Sequence, residues 1–273
     1  PTVPKERRIR PIHIWQSAAA ILFLLLASSV YLSTVGTKAE TDLLQQYIPI
    51  AEMRSLTLPD GTKVQLNSKS TLLYPQEFTG DSRSVFLLGE ANFKVKPDKK
   101  RPFIVKSNDL QITALGTEFN VSAYPESQEI ATTLISGSIR VDYNNLTTSV
   151  ILHPNEQFAY NRNNKKYDLS NPDMDDVTAW QRGELVLQKM TLTDIINVLE
   201  RKYPYAFVYS IKNLKNDRFS FRFKDNAPLE EVMEIIVNVE AQNKYNPGYP
   251  LIKRGVYYVS RMISAQNGVD FKN

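Results

Sequence analysis

The sequence predicts a membrane-anchored protein in which one N-terminal transmembrane helix is followed by an all-β domain and a small C-terminal α+β domain. Three observations support this: an uncharged apolar run near the N-terminus, a long stretch of alternating apolar and polar residues, and a helical pattern that occurs twice. The expected segments are a cytoplasmic tail (1–13), a transmembrane helix (14–35), a juxtamembrane connector (36–52), the all-β domain (53–164), a linker (165–178), the α+β domain (179–263) and a tail (264–273).

The apolar run extends from Ile14 to Val35 and reads IWQSAAAILFLLLASSVYLSTV. A helix of this length, rising about 1.5 Å per residue, spans roughly the 30 Å hydrocarbon core of a bilayer. Basic residues dominate positions 5–10, whereas no basic excess follows the run. The positive-inside rule therefore predicts a single-pass protein with a cytoplasmic N-terminus and its remaining domains across the membrane. Because the sequence starts at Pro1, we expect the cytoplasmic segment to be truncated.

A cleaved signal peptide is the alternative interpretation of the same run. Residues 5–10 would be its basic region, residues 18–27 its apolar region, and Ala27-Ser28-Ser29 a small-residue cleavage site. The uncharged run continues well past Ser29, which favours the membrane anchor.

Composition and charge exclude several classes of function. The chain has 33 basic and 29 acidic residues, a net charge of +4. Residues 1–10 hold 4 basic and 1 acidic residue, so the remainder has 29 basic against 28 acidic residues. This balance predicts no nucleic-acid partner, because phosphate backbones are bound by a concentrated basic surface. The absence of cysteine excludes disulfides, thiolate metal sites and a cysteine nucleophile.

Residues 53–162 show the alternation of a sheet with one buried and one solvated face. Val64 and Leu66, for example, alternate with polar neighbours, and turn sequences such as Pro59-Asp60-Gly61 separate the runs. Many short strands with regular turns predict a sandwich, a barrel or a solenoid of stacked strands, without a long helix. The preceding connector is compatible with a helix through Glu40–Tyr47.

The C-terminal part changes to a helical period. After the polar, acidic linker 165–178, apolar residues recur at i, i+3, i+4 and i+7 from Leu192 to Leu199, and the pattern repeats 37 residues later. Thr191 and Asp194 resemble a capping box for the first helix. Strand-like segments flank each helix, which predicts two β-α-β units. These segments are 185–187, 206–209, 219–223 and 255–259.

The chain offers little chemistry for an enzyme that acts on a substrate. Its two histidines are His13, beside the apolar run, and His153, in a turn after a strand. A serine triad would need His153 as its base, but no Gly-x-Ser-x-Gly sequence is present. No glycine-rich phosphate-binding loop occurs either. We therefore predict a non-enzymatic protein with no cofactor, no metal and no small-molecule substrate.

One dipeptide is a candidate for chemistry on the chain itself. Gly116-Thr117 lies between two strand-like runs. If the turn is strained, the Thr117 hydroxyl can attack the Gly116 carbonyl in an N-to-O acyl shift, which leads to self-cleavage. The alternative is a glycine that a tight turn or a bulge requires.

A strand near the C-terminus is the candidate for partner binding. Phe219, Phe221 and Phe223 lie on one face of this strand, and Arg222 lies on the other. The strand is either an ordinary core strand or an edge that accepts a partner's strand by β-augmentation, and both interpretations are compatible.

Several runs of residues together resemble the FecR domain over roughly residues 53–162. They are Leu58-Pro59-Asp60-Gly61-Thr62-Lys63-Val64-Gln65-Leu66-Asn67, Leu87-x-Gly89-Glu90-Ala91, Leu115-Gly116-Thr117-x-Phe119-Asn120-Val121 and Leu152-x-Pro154-Asn155-Glu156-Gln157. Asn155 stands where the family usually has glycine. Ala179-Trp180-x-x-Gly183 and the duplicated unit resemble the C-terminal domain of FecR proteins, related to the short secretin/TonB signalling fold, although Phe219–Phe223 is bulkier than the usual Phe-x-Gly-x-Phe.

The resemblance implies a transmembrane anti-sigma factor of the inner membrane. The missing cytoplasmic segment would hold an extracytoplasmic-function (ECF) sigma factor. The periplasmic domains would contact the signalling domain of an outer-membrane TonB-dependent transporter that has bound a siderophore or a glycan. Some members self-cleave at the Gly-Thr that matches Gly116-Thr117. The competing hypothesis is a membrane-anchored periplasmic enzyme or carbohydrate-binding module, which the lack of a catalytic constellation and the low tryptophan count disfavour.

Overall fold

A computed structural model describes residues 11–36, 42–207, 217–224 and 227–243. The chain divides into two compact units, residues 1–42 and residues 43–273. In the first unit, Pro11–Gly36 form the helix α1, which contains the predicted transmembrane segment 14–35. Among the described residues, no helix is found that is both long and apolar enough to cross a bilayer. The transmembrane segment therefore stays a prediction from sequence.

The second unit begins with thirteen described strands that pair into one continuous, curled sheet. They are β1 (Leu43–Tyr47), β2 (Arg54–Thr57), β3 (Lys63–Leu66), β4 (Thr71–Pro75), β5 (Arg83–Lys94), β6 (Phe103–Lys106), β7 (Gln111–Ala114), β8 (Glu118–Ala123), β9 (Glu129–Ser136), β10 (Ile139–Tyr143), β11 (Thr148–Leu152), β12 (Gln157–Asn161) and β13 (Lys166–Ser170). We refer to this region as the β domain.

The long strand β5 connects two halves of the sheet. Its first half pairs antiparallel with β4 and parallel with β6, whereas its second half pairs antiparallel with β3 and β8. One half-sheet therefore has the order β1-β4-β5-β6-β7-β10-β11, and the other has the order β2-β3-β5-β8-β9-β12-β13. Of the architectures that the sequence left open, the structure shows a single sheet that curls on itself.

Apolar side chains from both half-sheets fill one core. The Phe93 ring stacks on Phe119 with centroids 5.4 Å apart and lies 5.9 Å from the Phe103 centroid. All three rings are fully buried, and each stabilises the fold by about 1.5–3 kcal/mol. The prediction of an all-β domain without a long helix is thereby confirmed for residues 53–164.

Two segments differ from the expected boundaries. Leu43–Tyr47, expected in a connector compatible with a helix, form β1 and pair with β4. Lys166–Ser170, expected as linker, form β13 and pair with β12. The Tyr167 ring of β13 stacks on Phe158 with centroids 5.0 Å apart, which explains why this polar segment joins the sheet. In both cases, a strand partner elsewhere in the sheet overrides a weak local preference.

The turn before β3 is held by a buried ion pair. Asp60 Oδ2 accepts a hydrogen bond from Arg83 Nη1 at 2.7 Å, and the two side chains are 4% and 1% exposed. The same carboxylate accepts hydrogen bonds from the Thr62 N–H and hydroxyl at 2.9 and 2.7 Å. Arg83 also donates to the carbonyl groups of Lys96 and Arg101 at 2.8 and 3.0 Å. The pair therefore joins this turn to the loop between β5 and β6.

The C-terminal region contains α2 (Met174–Thr178), a 3₁₀ turn (Ala179–Arg182), β14 (Leu185–Thr191), α3 (Leu192–Lys202), β15 (Arg218–Phe223) and α4 (Leu229–Asn243). We refer to the part from the 3₁₀ turn onward as the C-terminal domain. Its described strands β14 and β15 pair antiparallel, and α3 and α4 bury their apolar faces in one cluster, as their spacing predicts. Thr191 caps α3 by accepting a hydrogen bond from the Asp194 N–H at 3.2 Å. The closing strands predicted at 206–209 and 255–259 lie partly or wholly outside the described residues.

Candidate functional site

The end of α3 contacts the β domain through Arg201. Its guanidinium carbon lies 3.8 Å from the centroid of the Tyr124 ring, and its Nη1 donates to Glu126 Oε1 at 2.7 Å. The Arg201 carbonyl accepts a hydrogen bond from the Ala51 N–H at 3.0 Å. The Arg201 side chain is only 11% exposed, and cation–π contacts are strongest when they are shielded from water. Arg201 therefore binds the two domains together through both its backbone and its side chain.

A second contact runs through side-chain hydrogen bonds from β5 to the 3₁₀ turn. Glu90 Oε1 accepts from Asn120 Nδ2 at 3.0 Å, and Asn120 Oδ1 accepts from Trp180 Nε1 at 3.3 Å. Glu90 Oε2 accepts from Asn67 Nδ2 at 2.8 Å. Because the Asn120 amide uses both its donor and its acceptor, the position of Trp180 is tied to the Glu90 carboxylate. We refer to this chain of hydrogen bonds together with the Arg201 contacts as the junction.

A cleft of about 1200 Å³ lies beside the junction, with walls from the β domain and the C-terminal domain. Its lining includes Glu90, Asn120, Glu129, Trp180, Arg201 and Arg218. Clefts between domains are common binding sites, and this lining suits hydrogen bonding to a partner. Within the ranges that the structure describes, no group of three histidine, aspartate or glutamate side chains is arranged to hold a metal ion.

The protonation of the junction depends mainly on Glu90. Its surroundings raise the pKa of the Glu90 carboxyl by burial, while hydrogen bonds from Asn120 and Asn67 and the charge of Arg201 act in the opposite direction. Burial also raises the pKa of the Tyr124 hydroxyl, which donates to the Ser68 carbonyl at 2.9 Å. Tyr124 therefore stays neutral at physiological pH, and Glu90 is the junction carboxyl whose ionisation burial opposes.

We expect Glu90→Gln to change the pH dependence of stability. A carboxyl whose pKa is raised by folding stabilises the fold below its unfolded pKa, and this contribution is lost as the pH rises through the folded pKa. Relative to wild type, the variant should therefore gain free energy of unfolding as the pH rises above about 4.3, the ordinary pKa of a glutamate. Urea unfolding at several pH values checks this, with the exposed Glu77→Gln as the charge-matched control. A pH-independent difference would contradict the account.

Gly116 and Thr117 lie where the chain crosses from β7 in one half-sheet to β8 in the other. Gly116 has a φ of +155°, and an added Cβ would lie 2.9 Å from the Pro97 Cα, so no side chain fits there. Thr117 is 7% exposed, and its Oγ1 is buried with no hydrogen-bond partner among the described residues. A Cβ on Gly137 would lie 2.6 Å from the Thr117 Cγ2. Close packing therefore surrounds this corner.

This corner contains one feature that favours each interpretation of the Gly116-Thr117 dipeptide. The close approach of Pro97 and a shift of register between Glu118 and Phe119 explain the glycine by packing alone. The unpartnered hydroxyl of Thr117 is unusual for a buried polar group, and a free hydroxyl beside a peptide carbonyl is what nucleophilic attack needs. Self-cleavage at this dipeptide stays a prediction.

The candidate partner-binding strand is β15. Phe219 and Phe223 are buried in the C-terminal domain, and Phe221 is half-buried between them with ring centroids about 6 Å apart. Arg222 lies on the opposite, exposed face and donates to Asp175, Asp176 and Glu184 at 2.6, 2.5 and 2.9 Å. The hydrogen bonds to Asp175 and Glu184 raise the Arg222 pKa further. The aromatic face is therefore core, and partner binding by this strand stays a prediction.

The junction residues were not singled out as a site by the sequence pattern. Glu90 and Trp180 occur in runs that resemble the FecR protein, but no role followed from their position. Asn120 and Trp180 are separated by 60 positions, and Arg201 reads as an ordinary basic residue in the last turn of a helix. The signal that could have identified them was a conspicuous Trp beside the linker, where a large aromatic side chain commonly marks a contact between domains.

The fold and the junction define a class of protein: a β domain joined to a small α+β domain by a polar interface. Comparisons identify the family. The FecR protein family matches residues 48–140, and the FecR C-terminal family matches residues 184–246. Two crystal structures of a candidate anti-sigma factor from Parabacteroides distasonis ATCC 8503 superpose with TM-scores of 0.68 and 0.67 at 35% sequence identity. Each match covers 71% of this chain and 90% of the other.

Among curated proteins, none gives a significant match. The extent and identity of the structural matches are nevertheless sufficient, together with the two domain matches in the expected order. The chain belongs to the FecR family of anti-sigma factors. The resemblance that the motifs indicate is thereby confirmed.

Proposed function

We propose that this anti-sigma factor is an inner-membrane signal transducer that works by protein–protein contacts. A cytoplasmic segment upstream of α1 would hold an ECF sigma factor. The domains from Leu43 onward would lie in the periplasm and contact the signalling domain of an outer-membrane TonB-dependent transporter. The family membership, the apolar run from Ile14 to Val35 and its basic N-terminal flank support this proposal.

The junction is the observation that carries the proposal. The two domains are joined by polar and cation–π contacts through Arg201 and Trp180, beside a cleft of about 1200 Å³. Polar interfaces of this kind between domains resemble transient protein–protein interfaces and allow relative motion. A partner that binds the C-terminal domain and competes for these contacts shifts it against the β domain. Occupancy of the transporter is thereby converted into a change in the β domain.

The test is capture of partners by the full chain in bacterial membranes. The tagged protein is crosslinked in cells grown with and without candidate siderophores and glycans, and crosslinked proteins are identified by mass spectrometry. We expect a TonB-dependent transporter and, through the complete cytoplasmic segment, a sigma factor. Binding to a glycan array with neither protein partner would overturn the proposal and favour the carbohydrate-binding module.

We also propose self-cleavage at Gly116-Thr117 as part of this function. Thr117 Oγ attacks the Gly116 carbonyl carbon, the peptide C–N bond breaks, and the hydroxyl proton moves to the departing nitrogen. Water then hydrolyses the resulting ester, which leaves a carboxylate on Gly116 and a free amine on Thr117. The buried hydroxyl of Thr117 supports this step, because it has no competing hydrogen bond to any residue that the structure describes.

Thr117→Ala should abolish the fragment that ends at Gly116, because the nucleophile is lost. Thr117→Ser keeps a hydroxyl and should still cleave. Thr113→Ala is the matched control, since the Thr113 Oγ1 is also buried and unpartnered but does not follow a glycine. Fragment masses measured by mass spectrometry show which variants produce the fragment that ends at Gly116. If the wild-type chain gives no such fragment, self-cleavage is not part of its function.

A further inference from the structure

We propose that Arg83 is a positioning residue for the Gly116–Thr117 peptide, acting through the loop between β5 and β6. The inference rests on the self-cleavage proposed above. Arg83 is the first residue of β5. None of its described hydrogen bonds reaches Gly116 or Thr117. Arg83 acts through the backbone of the loop, because it holds this loop against the corner that contains Gly116 and Thr117.

The loop donates hydrogen bonds to the chain on both sides of the cleavage site. The Val95 N–H donates to the Thr117 carbonyl at 2.9 Å, and the Asp98 N–H donates to the Leu115 carbonyl at 2.9 Å. Between these two bonds, Pro97 packs so closely on Gly116 that no side chain fits. The peptide to be cleaved is therefore fixed at both ends by one short segment of backbone.

That segment is anchored by Arg83 and Asp60. Arg83 Nη1 donates to the Lys96 carbonyl at 2.8 Å and Nε donates to the Arg101 carbonyl at 3.0 Å, so one guanidinium holds both sides of the loop. The Lys96 N–H donates to Thr62 Oγ1 at 3.2 Å, and that hydroxyl donates to Asp60 Oδ2. Asp60 completes the anchor with its ion pair to Arg83 at 2.7 Å.

The anchor uses two nitrogens of one planar side chain, Nε and Nη1, to reach three acceptors. A guanidinium presents fixed N–H donors at several angles, whereas a lysine ammonium is a compact charge on a flexible stem. Attack by Thr117 on the neighbouring carbonyl requires near-attack geometry, and a misplacement of about 1 Å costs about a hundredfold in rate. Loosening the loop should therefore slow the acyl shift before it unfolds the domain.

The test compares Arg83→Lys with Leu72→Ala in the full chain. Leu72 is a fully buried core residue on β4, so its truncation lowers stability without touching the loop. Cleavage rates are measured at temperatures where circular dichroism shows each variant folded. We expect Arg83→Lys to slow fragment formation at least tenfold and Leu72→Ala to change it less than twofold. Pro97→Ala removes the ring Cγ beside Gly116 and the fixed φ of the loop, and it should slow cleavage in the same way.

The outcomes separate the two proposals. If the wild-type chain cleaves and both Arg83→Lys and Leu72→Ala cleave at the wild-type rate, the positioning role is overturned and self-cleavage stands. Equal slowing of both variants would show that Arg83 acts through stability alone, which also overturns the role. A wild-type chain that does not cleave overturns self-cleavage, and the positioning role with it.

Discussion

Arg83→Met is expected to lower the free energy of unfolding of the β domain by about 3–5 kcal/mol, because it leaves Asp60 as an unpaired buried charge. The two side chains are almost fully buried, with the guanidinium and carboxylate 2.7 Å apart. The variant also leaves the carbonyl groups of Lys96 and Arg101 without this donor. Urea unfolding followed by circular dichroism measures the loss.

Arg54→Met provides the control for this experiment. Arg54 pairs with Glu52 at 3.6 Å, and both side chains are about half exposed, so its removal should change the free energy of unfolding by less than about 1 kcal/mol. Adding Asp60→Leu to Arg83→Met should recover part of the loss, since the unpaired charge is removed. If Arg83→Met and Arg54→Met had equal small effects, the buried pair would not be the anchor described here.

Arg201→Ala is expected to detach the C-terminal domain from the β domain without unfolding either one. The change removes the cation–π contact with Tyr124 and the partly exposed ion pair with Glu126, together about 1–2 kcal/mol. Because each 1.4 kcal/mol is a factor of ten, segment 171–183 should become about 5–30 times more sensitive to protease. Limited proteolysis followed by mass spectrometry measures the rate of cutting.

Arg140→Ala is the matched control for the junction. Arg140 pairs with Asp142 on the surface of the β domain, and its side chain is 53% exposed. Its loss should leave the sensitivity of segment 171–183 unchanged. Unchanged cutting in Arg201→Ala as well would mean that Arg201 does not hold the domains together, and the relay through the junction would have to be abandoned.

The elements of this fold that are strongly periodic could be predicted from sequence. The stripes beginning at Leu192 and Leu229 form α3 and α4, and alternation identified the core strands β3, β5, β7, β8, β10 and β12. The sequence pattern did not predict strands β1 and β13, because they lie at sheet edges, where few side chains are buried and the alternation is weak. β1 depends on β4, a partner distant in sequence that no local pattern contains. β13 forms a hairpin with the preceding strand β12, but its polar, exposed sequence shows no alternation.

The site was harder to predict than the fold. Gly116-Thr117 stood out because a small residue precedes a hydroxyl between two strands, and the structure places it in a tightly packed corner. The junction depends instead on contacts between residues far apart, such as Arg201 with Glu126, 75 positions away. Polar residues of this kind look like ordinary surface positions until the two domains are placed together.

The central claim is that a signal passes across the membrane through this one chain, and cysteine labelling of intact cells tests it most directly. The chain contains no cysteine, so Thr2→Cys and Ser149→Cys each create a single label site. Ser149 is exposed on β11. The account predicts that a membrane-impermeant maleimide labels Ser149→Cys in spheroplasts and reaches Thr2→Cys only after lysis. Equal labelling of both positions in intact spheroplasts, or release of a trimmed chain into the periplasm, would contradict it.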